Sequence, residues 1–170
     1  PKYDLMSFEP DRDMSALRSG VALQVHQENP DISAFVKRGG KLLLWHGFND
    51  PGPSPLSSIA YFEAVQKAVP ASKESIRLFL APGVLHCGGG AGPDRFDALT
   101  ALEQWVEKGI APDKLIASHV TNGKVDRTRP LCMYPLVARW KGTGSSDEAA
   151  NFSCVAQEAP APPRKTTSQH

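Results

Sequence analysis

Two apolar runs decide the fold: Lys41-Leu-Leu-Leu-Trp45 and Ile76-Arg-Leu-Phe-Leu80. Continuous apolar runs of this length are typical of strands buried on both faces of a parallel sheet. The first run leads into the loop His46-Gly-Phe-Asn-Asp-Pro-Gly-Pro-Ser-Pro55, which is dense in turn-forming residues. The second leads into a glycine-rich loop from Pro82 to Gly92.

A helix is predicted after each loop. Ser54 can cap the first helix and Pro55 suits its first position, while Pro70 ends it. Asp94 is predicted to cap the second helix, which Gly109 ends. The apolar residues on the predicted buried faces are Ile59, Phe62, Val65 and Val69 in the first helix and Phe96, Leu99, Leu102 and Val106 in the second. The strand, loop and helix order therefore predicts an α/β fold with a parallel sheet.

The flanking segments are less regular. Residues 1–40 are expected to hold helical pieces, one with Met14, Leu17 and Val21 on one face and one that begins at Pro30–Asp31 and ends at Gly39–Gly40. After the second helix, residues 115–117 suggest one more strand. The Asn122-Gly123 pair favours a hairpin turn, so residues 120–154 are expected to form a hairpin followed by an irregular loop. Residues 159–170 are rich in proline and polar residues and are expected to be disordered.

The composition fits one ordinary domain. The chain has 170 residues, of which 41% are hydrophobic and 22% are charged, and its formal net charge is +1. These values exclude a coiled coil or a wholly disordered chain. Without a basic stripe, nucleic acid is not an expected partner. The apolar runs are far shorter than the ~20 residues of a membrane span, so no membrane partner is expected. The opening Pro1-Lys-Tyr, without Met or an apolar leader, suggests a mature chain or a piece of a longer one.

The chain has three cysteines, Cys87, Cys132 and Cys154. In an exported protein an odd number suggests a free thiol or a bridge to another chain. The composition is equally compatible with a cytosolic protein in which all three cysteines are inert thiols. The sequence has no Cys-x-x-Cys and no Cys/His pair at zinc spacing, so no metal site is expected.

Two chemically useful side chains follow the predicted strands. Asp50 lies five residues after Trp45, and His86 lies six residues after Leu80. Ligands of open parallel sheets bind beyond the carboxyl ends of the strands, so these two could form a catalytic Asp-His pair. The alternative remains open that Asp50 is a turn residue before Pro-Gly and that His86 is an ordinary polar loop residue.

A nucleophile is harder to find. The order Ser, Asp, His is that of α/β-hydrolases, but the sequence has no Gly-x-Ser-x-Gly. Ser54, Ser57 and Ser58 lie at a predicted helix start, where capping is the expected role, so a catalytic pair would need a nucleophile from elsewhere. A structural role is expected for His46, and no partner pattern is visible for His26 or His119. The glycines at 88–92 lack the Gly-Lys-Ser/Thr of a phosphate loop.

Longer motifs resemble a known family, the tannase and feruloyl esterase family. The resemblance covers most of residues 4–155. It rests above all on Pro82-Gly-Val-Leu-His-Cys-Gly-Gly-Gly-Ala-Gly-Pro-Asp-Arg-Phe-Asp97, and also on residues 46–51, 54–56, 129–135, 138–144 and 149–154. It implies that residues 1–158 are the C-terminal part of an α/β-hydrolase fold with parallel strands, closed by a disulfide-linked C-terminal hairpin or loop.

The resemblance also assigns roles to residues. Asp50 would be the triad acid and His86 the general base. Cys87 would bridge to a cysteine outside this chain, next to the nucleophilic serine, and Cys132 would pair with Cys154. The family hydrolyses esters of aromatic acids, such as gallates and ferulates. The resemblance therefore implies that the chain is part of a serine carboxylesterase, inactive without its N-terminal part.

The resemblance further implies a partner chain or segment that carries the Cys-Ser motif and an inserted lid. Calcium would bind in that lid, so no cofactor is expected within this chain. Cysteine pairing and the family together imply a secreted or periplasmic protein. Two alternatives stay open: a non-catalytic piece that binds a partner, and an Asp-His hydrolase of another type.

Overall fold

The computed structural model describes residues 4–17, 19 and 27–157. These residues belong to two units, one ending at Pro30 and one beginning at Asp31. In the first unit a 3-10 turn, Leu5–Ser7, precedes helix α1, Pro10–Leu17. Helix α1 contains Met14 and Leu17 of the predicted helical face, whereas Val21 lies outside the described residues.

The second unit alternates helices and strands before it becomes all-β. Its elements are α2 (Ser33–Lys37), β1 (Leu42–Gly47), α3 (Pro55–Ala68), a 3-10 turn (Pro70–Glu74), β2 (Ile76–Ala81), α4 (Ala98–Lys108), β3 (Lys114–Thr121), β4 (Lys124–Cys132), β5 (Leu136–Trp140), a 3-10 turn (Ala149–Asn151) and β6 (Phe152–Ala156).

Strands β1 and β2 pair in parallel, with Leu42 opposite Ile76 and Gly47 opposite Ala81. The prediction of two parallel strands is thus confirmed. Side chains of β2 are buried on both faces because successive residues point in opposite directions. Ile76 and Leu78 pack with Phe62 and Val65 of α3. Phe79 and Ala81 pack on the other face in a core cluster with Val84, Leu115, Ala117 and Leu131.

Helix α3 matches its prediction closely. The Ser54 hydroxyl accepts a hydrogen bond from the Leu56 N–H, and Pro55 occupies the first turn. Phe62 and Val65 are buried as predicted. Val69, the fourth residue of the predicted buried face, caps the carboxyl end of the helix instead of belonging to it.

Helix α4 corrects two predictions. Its N-cap is Asp97, whose side chain accepts from the Thr100 N–H, and not Asp94. Asp94 instead accepts a hydrogen bond from the Gly89 N–H at 2.7 Å and so belongs to the glycine-rich loop. The predicted apolar face is only partly right: Leu102 is half-buried and Phe96 packs against the core from just before the helix, but Leu99 and Val106 are exposed and Trp105 is the buried residue of the helix. Gly109 ends the helix in the left-handed conformation, as predicted.

The Asn-Gly turn is confirmed. Asn122 and Gly123 have φ values of 50° and 77°, and they join β3 to β4 in an antiparallel hairpin. The predicted strand at 115–117 is the middle of β3. The prediction of an irregular loop after this hairpin is wrong, because β5 and β6 form a second antiparallel pair there. Both strands are short and mostly not buried, so no clear apolar alternation marks them in the sequence.

A disulfide joins Cys132, the last residue of β4, to Cys154 of β6. The pairing that the family resemblance implied is therefore present. Cys87 is a free, exposed cysteine. Among the described helices, none is long and apolar enough to cross a membrane. The predicted domain end at residue 158 and the tail 159–170 lie outside the described residues.

Candidate active site

The loop after β1 carries Asp50, and its backbone is fixed by its neighbours. The Phe48 N–H donates to the Ala81 carbonyl at 2.9 Å, and the Asn49 N–H donates to the Val84 carbonyl at 3.0 Å. The Asn49 side chain accepts in turn from the Gly83 N–H at 3.0 Å. The loop after β1 is therefore bonded directly to the loop after β2, as parallel neighbours allow.

The loop after β2 carries His86 and folds back on itself. The Leu85 N–H donates to the Gly89 carbonyl, and the Gly92 N–H donates to the Gly83 carbonyl. Cys87 has a φ of 57° and is followed by three glycines that also have positive φ. This left-handed backbone favours glycine, so the glycine-rich sequence is required by the tight turn that presents His86.

The two loops bring Asp50 and His86 together. His86 Nδ1 lies 2.7 Å from Asp50 Oδ2, which is the distance of a charge-assisted hydrogen bond. An ionised carboxylate only accepts hydrogen bonds, so the Nδ1 atom of His86 carries the proton. Its Nε2 atom is then free to take a proton when the ring is neutral. Asp50 has a side chain only 3% exposed, whereas the side chain of His86 is 62% exposed.

Two hydrogen bonds hold the Asp50 carboxylate, and His46 lies beside it. Oδ1 accepts from the Gly52 N–H at 2.8 Å, and Oδ2 faces the rings of both His86 and His46. The hydrogen bond from His86 is the main reason that the pKa of Asp50 lies below its ordinary value; burial opposes the effect, and Gly52 and His46 add to it. Asp50 therefore remains ionised near neutral pH and can stabilise a charged imidazole on His86.

His46 was missed by the sequence reasoning as a partner of Asp50. Its Nε2 atom lies 3.3 Å from Asp50 Oδ2, and its Nδ1 atom lies 2.7 Å from the Ser58 hydroxyl. Ser58 is therefore a hydrogen-bond partner of His46 and not a helix cap. The spacing of four residues between His46 and Asp50, across a loop rich in turn formers, was the available signal.

A second His-Asp pair lies on the β3–β4 hairpin. His119 Nδ1 is 2.7 Å from Asp126 Oδ1, and the Thr121 hydroxyl donates to Asp126 Oδ2 at 2.6 Å. The expectation that His119 lacks a partner is wrong. Counting outward from the two-residue turn at 122–123 places position 119 opposite position 126, but a bulge between His119 and Val120 shifts the register, so His119 pairs with Arg127 and Asp126 lies next to that pair. His26 lies outside the described residues.

Metal-binding clusters and apolar cavities are two other features that could mark the site of the Asp50–His86 pair. Within the described part of the chain, no group of three or more His, Cys, Asp or Glu side chains is placed to hold a metal ion. A largely apolar cavity of about 280 Å³ is lined by residues that include Phe48, Leu80 and Tyr134. Asp50 and His86 are not part of its lining. The feature that marks the pair is its short hydrogen bond.

Comparisons with known proteins agree with these motifs. The mono(2-hydroxyethyl) terephthalate hydrolase of Piscinibacter sakaiensis is 49% identical over 129 residues, which are 74% of this chain and 21% of that protein. A probable feruloyl esterase of Arthroderma benhamiae is 45% identical over 134 residues, which are 75% of this chain and 25% of the relative.

A solved structure is also similar. The feruloyl esterase B of Aspergillus oryzae superposes with a TM-score of 0.81 at 28% identity, over 90% of this chain and 34% of the other. The chain thus spans between about a fifth and a third of the length of these relatives. The family model for tannase and feruloyl esterase matches residues 2–155, almost all of the described chain. The chain therefore belongs to the tannase and feruloyl esterase family.

Proposed function

We propose that this chain supplies the Asp and the His of a Ser-His-Asp triad in a serine carboxylesterase that hydrolyses esters of aromatic acids. The observation that carries the proposal is the 2.7 Å contact between His86 Nδ1 and Asp50 Oδ2. It leaves Nε2 of His86 without a hydrogen-bond partner among the described residues. The names of the relatives, a terephthalate monoester hydrolase and a probable feruloyl esterase, support the substrate class.

The mechanism follows from the roles of the two side chains. His86 Nε2 takes the proton of a serine hydroxyl as the serine oxygen bonds to the ester carbonyl carbon. The resulting imidazolium gives that proton to the leaving alcohol as the carbon–oxygen ester bond breaks. Water, deprotonated by the same nitrogen, then hydrolyses the acyl-enzyme and releases the acid. Asp50 holds the Nδ1–H tautomer and stabilises the imidazolium in both halves of the reaction.

The serine belongs to an N-terminal chain or segment outside these 170 residues, next to a cysteine that bridges to Cys87. Cys87 is exposed and adjacent to His86, so such a bridge fixes the imidazole close to the serine. Any calcium ion binds in the lid of that N-terminal part, and no step of the mechanism runs through it. The disulfide between Cys132 and Cys154 supports export to an oxidising compartment, either outside the cell or in the periplasm.

The test uses the complete protein and a ferulate or gallate ester. His86→Ala is expected to lower kcat by about 10⁴-fold or more, since the general base is lost. The matched control is His119→Ala, which removes the histidine of the other His-Asp pair and is expected to leave activity intact. Activity of His86→Ala within a few-fold of the wild type would remove His86 from the mechanism.

Two further observations separate this function from the alternatives. The chain alone is expected to hydrolyse no phenolic ester, and turnover by the pure chain would overturn the missing-nucleophile argument. Release of a second chain with adjacent Cys and Ser by a thiol reductant would support the esterase. If the complete protein lacks esterase activity, the non-catalytic binding role gains support; if it hydrolyses only other bonds, another Asp-His hydrolase does.

A further inference from the structure

His46 lies beside the Asp50–His86 pair and is less exposed than His86. It is the penultimate residue of β1, and its side chain is 14% exposed, against 62% for His86. Its Nε2 atom faces two oxygens, Asp50 Oδ2 at 3.3 Å and the Pro53 carbonyl at 3.2 Å. Both rings therefore approach the same carboxylate oxygen, His86 from the exposed side and His46 from the protein interior.

The partners of His46 fix its tautomer. A carbonyl oxygen and an ionised carboxylate can only accept hydrogen bonds, so Nε2 of His46 carries a proton. Nδ1 of His46 faces the Ser58 hydroxyl at 2.7 Å, and a hydroxyl can donate to it. Ser58 lies on α3, so the first turns of that helix hold the His46 ring in place.

The Asp50 carboxylate can rotate only if these contacts break. Gly52 N–H holds Oδ1 and His86 holds Oδ2. His46 Nε2, which also hydrogen-bonds the Pro53 carbonyl, lies 3.3 Å from the same Oδ2. We infer that His46 is a positioning residue for the proposed triad: its Nε2–H directs Asp50 Oδ2 toward His86, and Ser58 fixes its ring. The inference rests on the proposed function only where it concerns catalysis, since the orientation of Asp50 can be observed without turnover.

The experiment compares His46→Phe, His46→Gln and Asp50→Asn in the complete protein. Phenylalanine keeps a ring but no donor, whereas glutamine keeps an N–H that can reach Asp50. Histidine-selective ¹⁵N NMR reports which nitrogen of neutral His86 carries the proton. Wild type is expected to show the Nδ1–H form, and Asp50→Asn the Nε2–H form. His46→Phe is expected to shift His86 toward the Asp50→Asn pattern, and His46→Gln to retain the wild-type pattern.

Steady-state kinetics of the same variants provide the second measurement. His46→Phe is expected to lower kcat by about 100-fold, as for a misplacement of ~1 Å, with little change in KM. His46→Gln is expected to recover most of that loss. Ser58→Ala is expected to cause a smaller loss, with Ser57→Ala as its control, because Ser57 is exposed and lies one residue earlier on the same helix.

These experiments distinguish a failure of the His46 inference from a failure of the proposed function. If His46→Phe keeps the Nδ1–H form of His86 and kcat within about three-fold, His46 does not position Asp50. If His46→Phe and His46→Gln lose stability and activity equally, its role is structural, which also refutes the inference. If Asp50→Asn retains activity, the triad assignment itself fails, whatever the His46 variants do.

Discussion

Removal of the Cys132–Cys154 disulfide is expected to destabilise the chain by an amount that follows from its position. The two cysteines are 22 residues apart in sequence. In the chain-entropy model a loop of this size restricts the unfolded state by about 11 cal/mol/K, or about 3.4 kcal/mol at 25 °C. Domains of ordinary stability unfold with only about 5–15 kcal/mol, so the loss is large.

The replacement residue matters because Cys132 is buried, with 6% exposure. Alanine at both positions is preferred, since serine would leave a hydroxyl in an apolar site. Cys87→Ser is the background for every measurement, because its free thiol could exchange with the disulfide. In the 170-residue chain measured alone, where the proposed bridge at Cys87 is absent, that substitution is expected to be nearly neutral, since Cys87 is exposed and a serine can adopt the same backbone conformation.

The assay is equilibrium unfolding in urea. With a slope of about 2 kcal/mol per molar urea, the double alanine variant should unfold at a midpoint about 1.7 M lower than its background. A loss below about 1 kcal/mol at an unchanged slope would refute the reasoning. It would mean that the unfolded chain is already restricted between β4 and β6 without the covalent bond.

Three further predictions concern other contacts. Gly47→Ala is expected to cost about 1–3 kcal/mol in urea unfolding, since its Cβ would overlap the Val84 and Leu85 carbonyl oxygens; an unchanged midpoint would contradict this. The Thr121 hydroxyl, and next His119, hold the pKa of Asp126 below its ordinary value. The stability that Asp126 contributes is therefore complete above about pH 4 and lost as pH falls further. Asp126→Asn should lose less stability than wild type when urea unfolding is compared between about pH 5 and about pH 2. The hydrogen bond to Glu63, and next burial, raise the pKa of Tyr134, so Glu63→Gln should make this tyrosine ionise at lower pH in an absorbance titration; an unshifted titration would refute the contact.

The parts of the fold that the sequence predicts are those with strong local signals. Residues 76–81 form a strand buried on both faces as predicted, whereas the leucines of β1 are only half-buried and Trp45 is exposed. Ser54 and Gly109 act as caps through their own hydrogen bonds and backbone conformation. In α4 the apolar pattern does not reveal that Trp105, and not Leu99 or Val106, is the buried side chain. Asp97, and not Asp94, caps α4 because the Asp94 side chain accepts a hydrogen bond from the Gly89 N–H, a contact that forms only in the folded loop.

Some contacts of the candidate site could also be predicted from the sequence, and others could not. Spacing after two parallel strands predicts that Asp50 and His86 are close, because the carboxyl ends of neighbouring strands meet. The contacts of His46 depend on how the loop of residues 48–53 turns back, which spacing alone does not determine. Strands β5 and β6 were missed for another reason: their pairing is held by backbone hydrogen bonds and by a disulfide that only the family resemblance implied.

The contacts around Asp50 and His86 lie within this chain, so the chain can hold these two members of the proposed triad by itself. Asp50 and His86 lie on loops bonded to each other, and Gly52 and His46 complete the carboxylate's partners within the same chain. Only Nε2 of His86 must be aligned with the serine. A displacement of ~1 Å there can cost ~100-fold in rate, which loop contacts to a separate segment would not easily prevent. The covalent bridge proposed at Cys87, the residue next to His86, would restrain the imidazole at the point where misalignment is most costly.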